Sequence, residues 1–169
     1  ILDTDIGTDI DDTWALGVLL NSPELDLKLI TVSTGDVRKR ASIAAKFCEM
    51  TGNKIPIGLG IKTEGIPIRH FEWVNDYDVG KYPGGIIADG VQAIIDTIKN
   101  SSEQVIIIGI GPLPTVAAAL ERDPTITEKA RFIGITGSNG KSTTCKLFHD
   151  HLSHKGYCCA LAGNYGTPL

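Results

Sequence analysis

The chain has 169 residues, of which 42% are hydrophobic and 21% charged, the balance of a soluble globular protein. This length suits one ordinary domain, or one domain and part of a second. The net charge of −4 argues against a nucleic-acid partner, and no apolar run approaches the roughly 20 residues of a membrane helix. The four cysteines lack a zinc-site spacing, so we expect free thiols and a cytoplasmic protein.

Apolar strand-like runs alternate with helix-like stretches, a pattern typical of a parallel sheet covered by helices. Strands are predicted at 1–2, 27–33, 55–59, 104–110, 130–136 and 157–162. Helices are predicted at 11–20, 37–50, 87–99, 113–121 and 141–154, and a long loop at 62–85. The first predicted strand has only two residues, as if the chain began near the end of a longer strand, so we expect that the sequence has been trimmed. The predicted fold is a three-layer αβα sandwich, α/β in class, with a mainly parallel, Rossmann-like sheet of about six strands.

Five carboxylates lie in the first predicted strand-to-helix turn, at Asp3, Asp5, Asp9, Asp11 and Asp12. Ionised carboxylates this close raise one another's pKa unless a cation lies among them. Ca²⁺ and Mg²⁺ are hard ions that take oxygen ligands, and the carboxyl edge of a parallel sheet is where open α/β folds bind ligands. Helix capping would explain only one or two of the five. The turn therefore predicts a divalent-cation site.

The run from Asp3 to Leu16 resembles the signature of the inosine-uridine-preferring nucleoside hydrolases. Two later segments resemble further motifs of that family, in the same order. One is Thr31 to Asp36 followed by Arg40-Ala41, and the other runs from Ile108 to Leu113 and on to Asp123-Pro124. The resemblance covers about residues 1 to 133 and implies hydrolysis of the N-glycosidic bond of ribonucleosides.

The resemblance also implies roles for individual residues. It implies a Ca²⁺ ion that holds the ribose hydroxyls and an activated water. Asp5 is implied as cation ligand and general base, Asp12 as a ligand, and the backbone carbonyl of Ile110 as another ligand. Asp11 and Asp36 are implied as ribose contacts.

The chain departs from the family pattern in two places. Ile6 replaces the usual proline, and two extra residues precede Asp11-Asp12. It therefore stays open whether Asp9 or Asp11 binds the cation or the ribose, and Asp9 is also predicted as a metal ligand. The family's C-terminal half supplies another acidic ligand and often a histidine acid, and this chain ends before such a segment. We therefore expect an impaired active site.

The predicted loop at 62–85 contains four aromatic residues, Phe71, Trp73, Tyr77 and Tyr82. They could stack on a nucleobase, or they could cover the protein core. The second interpretation is favoured.

A glycine-rich loop follows the strand predicted at 130–136 and opens the helix predicted at 141–154. Its backbone N–H groups and the helix end would attract a phosphate. The run from Thr136 to Thr144 resembles the P-loop of Mur ligases. The run from Ala162 to Leu169 resembles a segment of the UDP-N-acetylmuramoyl-alanine–glutamate ligases. Mg-ATP is implied as a second cofactor, with Ser142 on the Mg²⁺ ion and Asn164 as a substrate contact. The implied ATP-binding residues are Gly137, Ser138, Asn139, Gly140, Lys141, Ser142 and Thr143.

The two resemblances predict a chimera. Residues 1–133 would form a truncated hydrolase-like core, and residues 134–169 a P-loop β-α-β segment that completes the same domain. Three functions stay open: a Ca²⁺-dependent nucleoside hydrolase, an ATP- or phosphate-binding module, and a folded scaffold without activity. The expected partners are a small nucleoside, ATP or both, without nucleic acid or membrane. Apolar surface left exposed by the lost half favours a homo-oligomer.

Overall fold

The computed structural model describes residues 1–64 and 67–135. Six strands lie in this part of the chain, namely β1 (Leu2–Thr4), β2 (Ile30–Val32), β3 (Ile57–Leu59), β4 (Ile86–Ile87), β5 (Val105–Gly109) and β6 (Ala130–Ile135). They form one sheet in the order β4-β3-β2-β1-β5-β6, and every neighbouring pair is parallel. The predicted α/β class and the parallel sheet of six strands are confirmed.

Within the described residues, four α-helices cover the two faces of this sheet. They are α1 (Asp11–Leu20), α2 (Val37–Met50), α3 (Gly90–Asn100) and α4 (Pro114–Arg122). Leu16 of α1 and Ala44 of α2 pack with Ile30 in one apolar cluster. Ile94 of α3 and Val116 of α4 belong to a second cluster on the opposite face. The two clusters make the molecule three layers thick, as predicted.

The order of the strands reverses at β1. The chain steps outward on one side of β1 through β2, β3 and β4, and then crosses to β5 on its other side. The ends of β1 and β5 are held together because the Ile110 N–H donates to the Asp3 carbonyl at 3.0 Å. The chain leaves β1 and β5 toward helices on opposite faces of the sheet, and at such a point α/β proteins form a ligand-binding crevice at the carboxyl ends of the strands.

The segment before α3 differs from the prediction. Ile86 and Ile87 pair with β3 as the edge strand β4, whereas the sequence predicted a loop that ran directly into a helix at Ile87. The helix begins at Gly90, because the Asp89 side chain caps it by accepting a hydrogen bond from the Gln92 N–H at 2.9 Å. The helix predicted at 141–154 and the strand predicted at 157–162 lie outside the described residues.

One face of α1 is apolar and exposed. Ile10, Trp14 and Val18 follow one another at four-residue spacing and are 55%, 71% and 64% exposed. Residues so spaced lie on the same side of a helix. Among the helices of the described residues, none has the length and apolar character needed to cross a membrane.

Candidate functional site

The crevice between β1 and β5 receives two buried carboxylates from the acidic turn. Asp5 follows the end of β1 and Asp12 lies in the first turn of α1, and both are less than a tenth exposed. Thr4 donates a hydrogen bond from Oγ1 to the Asp12 carboxylate, which fixes α1 against the end of β1. Gly7 has φ +98°, and a Cβ there would lie 2.5 Å from Ile43 Cδ1. Because L side chains rarely adopt this backbone conformation, glycine fits the turn without strain.

Asp5 lies between its own turn and the end of β5. Thr8 Oγ1 donates to Asp5 Oδ2 at 3.3 Å and to the Asp5 carbonyl at 3.1 Å. On the other side, a Cβ added to Gly111 would lie 3.0 Å from both Asp5 Oδ1 and the Asp5 backbone nitrogen. Gly111 at the end of β5 therefore packs closely against Asp5, and a larger residue there would press on the Asp5 carboxylate.

Burial disfavours the charged form of these carboxylates. The pKa of Asp12 is raised to about 7. Burial is the main cause, the neighbouring Asp5 and Asp11 add to it, and the Thr4 hydrogen bond opposes it. Burial also raises the pKa of Asp5, although Arg40 and Thr8 oppose the shift. Carboxylates that repel one another in a buried crevice are stabilised by a cation.

The donor chemistry of this crevice fits a hard cation in part. Asp5 and Asp12 offer carboxylate oxygens, and Ca²⁺ takes carboxylate and backbone carbonyl oxygens. Within residues 1–64 and 67–135, however, no three side chains of Asp, Glu, His or Cys are grouped so that they could hold a metal ion. A cation here would therefore need further oxygens beyond the two carboxylates, such as the predicted Ile110 carbonyl.

Three predicted site residues lie at the rim. Asp9 is 45% exposed in its side chain and forms an ion pair with Arg69, at 3.0 Å between Oδ1 and Nη1. Asp11 is exposed on the first turn of α1, near enough to raise the pKa of Asp5 and Asp12. Asp36 caps α2, and its Oδ1 accepts from the backbone N–H groups of residues 38 and 39. Of the predicted carboxylate ligands, the crevice thus brings Asp5 and Asp12 together and leaves Asp9 outside.

Asp3 is buried beneath the site and joins three elements. Thr31 Oγ1, within β2, and Ser33 Oγ, just after β2, donate to Asp3 Oδ1 at 2.6 and 2.8 Å. Ser33 Oγ also lies 2.6 Å from Thr115 Oγ1 on α4. Burial raises the pKa of Asp3 to about 7. Asp3 was predicted as part of the acidic turn, but its contacts with Thr31 and Ser33, which connect the strand ends to a helix on the opposite face, were not predicted.

The aromatic segment contacts α2. The Lys39 ammonium lies 4.5 Å from the centre of the Phe71 ring, and the Lys46 ammonium lies 4.8 Å from that of Trp73. The Tyr77 hydroxyl donates to Glu49 of the same helix at 2.6 Å. These contacts favour the interpretation that the aromatics cover the protein rather than stack on a nucleobase.

The same segment closes over the acidic turn. The N–H groups of Arg69 and His70 donate to the Gly7 carbonyl at 2.8 and 3.2 Å. The Arg69 side chain pairs with Asp9. The long loop is therefore a structural partner of the site.

The sequence matches the family model of the inosine-uridine preferring nucleoside hydrolases over residues 1–147. The chain belongs to this family. The non-specific ribonucleoside hydrolase RihC of Klebsiella pneumoniae is 30% identical over 149 residues, which cover 82% of this chain and 48% of the relative. RihC of Salmonella typhimurium is 31% identical over the same shares. The chain therefore spans about half the length of the curated relatives it matches.

Solved structures of nucleoside hydrolases share the fold. The inosine-uridine preferring enzyme of Bacillus anthracis superposes with a TM-score of 0.65 at 23% identity, over 78% of this chain and 48% of that one. A plant nucleoside hydrolase gives 0.63 at 27% identity, over 79% and 46%. The purine-preferring ribonucleoside hydrolase of Gardnerella vaginalis gives 0.62 at 27% identity, over 81% and 48%. These likenesses agree with the parallel αβα architecture.

The family match continues past the predicted junction between residues 133 and 134 and includes the whole glycine-rich loop from Thr136 to Thr144. The predicted ATP-binding residues, from Gly137 to Thr143, and Asn164 lie outside the described residues. The Mur-type segment and the chimera are supported by their sequence resemblance alone, and the domain boundary stays a prediction.

Proposed function

We propose that this chain carries the cation- and ribose-binding half of a Ca²⁺-dependent nucleoside hydrolase that cleaves the N-glycosidic bond of ribonucleosides. The observation that carries the proposal is the burial of Asp5 and Asp12 together at the crevice between β1 and β5. The hydrolase family supplies the reaction class. Because the chain spans about half of its relatives, the activity of a whole hydrolase is part of the proposal.

Asp5 is proposed as the general base. Hydrolysis adds the hydroxyl of water to C1′ of the ribose, and the departing base takes up a proton. A carboxylate must therefore lie within hydrogen-bond reach of the attacking water. Asp5 Oδ2 accepts from Thr8, and Oδ1 lies close to Gly111 at the end of β5. With Oδ2 held by Thr8, Oδ1 is the oxygen proposed to accept the proton of the water.

The proposed cation ligands are Asp5, Asp12 and the Ile110 carbonyl. Asp9 is a weaker candidate, because its carboxylate is paired with Arg69. When bound, Ca²⁺ supplies positive charge that orients the ribose hydroxyls and makes a water more acidic. Thr4 holds the Asp12 carboxylate at the end of β1, so this ligand is positioned before binding.

Asp11 and Asp36 are the proposed ribose contacts. Both carboxylates are exposed at the rim, at the first turn of α1 and at the cap of α2. Carboxylates accept hydrogen bonds from ribose hydroxyls and stabilise the positive charge that develops on the sugar ring.

The test measures release of free base from several purine and pyrimidine ribosides with saturating Ca²⁺. We expect slow release by the unaltered chain and a loss of about a hundredfold or more in Asp5→Asn, because the base is removed. Asp26→Asn is the matched control, since Asp26 is exposed and paired with Lys28 away from the crevice. No release above buffer with any riboside would overturn the hydrolase proposal.

A second candidate function is phosphate binding by the glycine-rich loop from Gly137 to Thr143, with Mg-ATP as the cofactor. The pattern of its residues favours it, because backbone N–H groups before a predicted helix bind anions. Mg-ATP at ten times its Kd would stabilise the fold by about 1.4 kcal/mol. Lys141→Ala should abolish this shift in Tm, and Lys54→Ala should keep it. An unchanged Tm at millimolar Mg-ATP would refute this candidate. A folded chain that fails both tests would be the scaffold without activity.

A further inference from the structure

Arg40 is a buried charged side chain to which the proposed reaction gives no role. It lies in the first turn of α2, its exposed fraction is 0%, and it is among the largest fully buried side chains. Removing a guanidinium from water is costly unless its N–H groups find acceptors. The positions of its acceptors show what this side chain holds in place.

The guanidinium joins the turn after β1 to the turn after β2. Its Nη1 donates to the Ile6 carbonyl and to Thr8 Oγ1, both at 2.9 Å, and also to the Asp5 carbonyl. Its Nε donates to the Thr34 carbonyl at 2.9 Å. No carboxylate oxygen is among these hydrogen-bond partners. Arg40 therefore binds the backbone that carries Asp5 rather than the Asp5 side chain.

The turn after β2 has an unfavourable conformation that this contact holds. Thr34 has φ +69°, a left-handed value that β-branched residues rarely adopt. Its N–H donates to the Ile61 carbonyl at 2.9 Å, and its own carbonyl accepts from Arg40. Backbone strain that is held by surrounding contacts is concentrated at functional sites. The strained turn also leads to Asp36, the cap of α2 and a proposed ribose contact.

The two turns do not occupy every donor of the guanidinium. Arg40 Nη2 is buried and has no hydrogen-bond partner among the described residues. The contacts of Nη1 and Nε with the two turns are therefore the ones that compensate the burial of this side chain.

We propose that Arg40 is a positioning residue for Asp5: by fixing the turn from Asp5 to Thr8, it holds the Asp5 carboxylate beside Gly111 at the end of β5. The purpose of this positioning, a carboxylate ready to act in hydrolysis, rests on the proposed function. A lysine cannot replace Arg40, because an ammonium lacks the planar fork that reaches acceptors in two turns at once.

The experiment compares Arg40→Lys and Arg40→Ala with Arg38→Lys and Arg38→Ala. Arg38 is exposed in the same turn of α2 and serves as the matched control. Circular dichroism and Tm report the fold, calorimetric titration with CaCl₂ reports the cation Kd, and base release reports kcat and KM. We expect Arg40→Lys to stay folded, to bind Ca²⁺ at least tenfold more weakly and to lose kcat more than it raises KM. Millimolar guanidinium should partly restore Ca²⁺ binding to Arg40→Ala and leave Arg38→Ala unchanged.

Two outcomes would overturn the proposal. The first is that Arg40→Lys binds Ca²⁺ with the Kd of the unaltered chain. The second is that its Tm falls while its Kd and its kcat stay unchanged. The second result would make Arg40 merely structural.

If the unaltered chain neither binds Ca²⁺ nor releases base, the proposed function fails, and hydrogen exchange still decides the role of Arg40. We expect the amides of the turn from Asp5 to Thr8 to exchange at least tenfold faster in Arg40→Lys than in Arg38→Lys. Equal exchange in the two variants would overturn the positioning role by itself.

Discussion

Gly111→Ala tests the position of the Asp5 carboxylate with a single added methyl group. The new Cβ would lie 3.0 Å from Asp5 Oδ1 and from the Asp5 nitrogen, and 3.4 Å from Asp5 Cβ. Contacts of this length are too tight, so the Asp5 side chain must move by a few tenths of an ångström. A misplacement of about 1 Å in an active site costs roughly a hundredfold in rate. The smaller shift should therefore lower kcat about tenfold, or about 1.4 kcal/mol in activation free energy.

The assay is base release with saturating Ca²⁺, together with urea unfolding. The fold should lose less than about 3 kcal/mol, the upper range for one extra methyl group in a packed site. Gly17→Ala is the matched control, because a Cβ there lies 3.5 Å from the Phe47 ring, an ordinary contact. It should keep its kcat and gain up to about 1 kcal/mol from helix propensity. A Gly111→Ala variant with unchanged kcat and unchanged Ca²⁺ affinity would refute the placement of Asp5 beside β5.

Three further substitutions test the frame around the site. Asp89→Ala should cost about 1 kcal/mol in urea unfolding, because α3 loses its cap. The hydrogen bond from the Gln92 N–H lowers the pKa of Asp89, so this contribution is present above about pH 4 and is lost as the pH falls further. Thr115→Val should cost about 1–3 kcal/mol in the same assay, because Ser33 loses a buried partner. Trp14→Glu should reduce the mass seen by analytical ultracentrifugation, since this exposed face of α1 is the surface expected to self-associate.

Each of these results can come out otherwise. Asp89→Ala would contradict the cap if its loss of stability were the same at pH 3 and pH 7. Thr115→Val would contradict the buried contact if its unfolding midpoint were unchanged. If the unaltered chain sediments as a monomer at all concentrations, the prediction of a homo-oligomer is refuted.

The helices on one face of the sheet could be predicted because residues adjacent in the sequence mark where they begin. The sequence predicted α1 at 11–20 and α2 at 37–50, and both are observed at those positions. An acidic turn before α1, and Asp36 before α2, mark the beginnings of these helices in the sequence itself. The apolar run of β5 was equally clear in the sequence, although Ile106 is 43% exposed, so the described strand is not buried on both faces.

The edge strand β4 could not be separated from α3 by hydrophobic pattern. Ile86 and Ile87 are apolar neighbours that continue directly toward the apolar face of the helix, and two residues are too few to show a period. The capping residue Asp89 was the available signal for the boundary.

The sequence predicted the carboxylates of the site but not the contacts that hold them in place. Asp5 and Asp12 are close in sequence, and the end of a strand brings them to one edge. The pairing of Asp9 with Arg69 joins residues 60 positions apart, and the Arg40 contacts join residues about 35 apart. Such partners depend on how loops pack, which periodicity does not encode. The Arg-Ala pair in the second motif was the one local hint of Arg40.

The central claim is that Asp5 and Asp12 hold one divalent cation at the crevice between β1 and β5. A crystal structure of the chain grown with CaCl₂ tests it most directly. The account predicts an ion at about 2.3–2.6 Å from carboxylate oxygens of both residues and from the Ile110 carbonyl. An ion bound at Asp9 instead, or Asp5 and Asp12 with no ion at saturating CaCl₂, would contradict it.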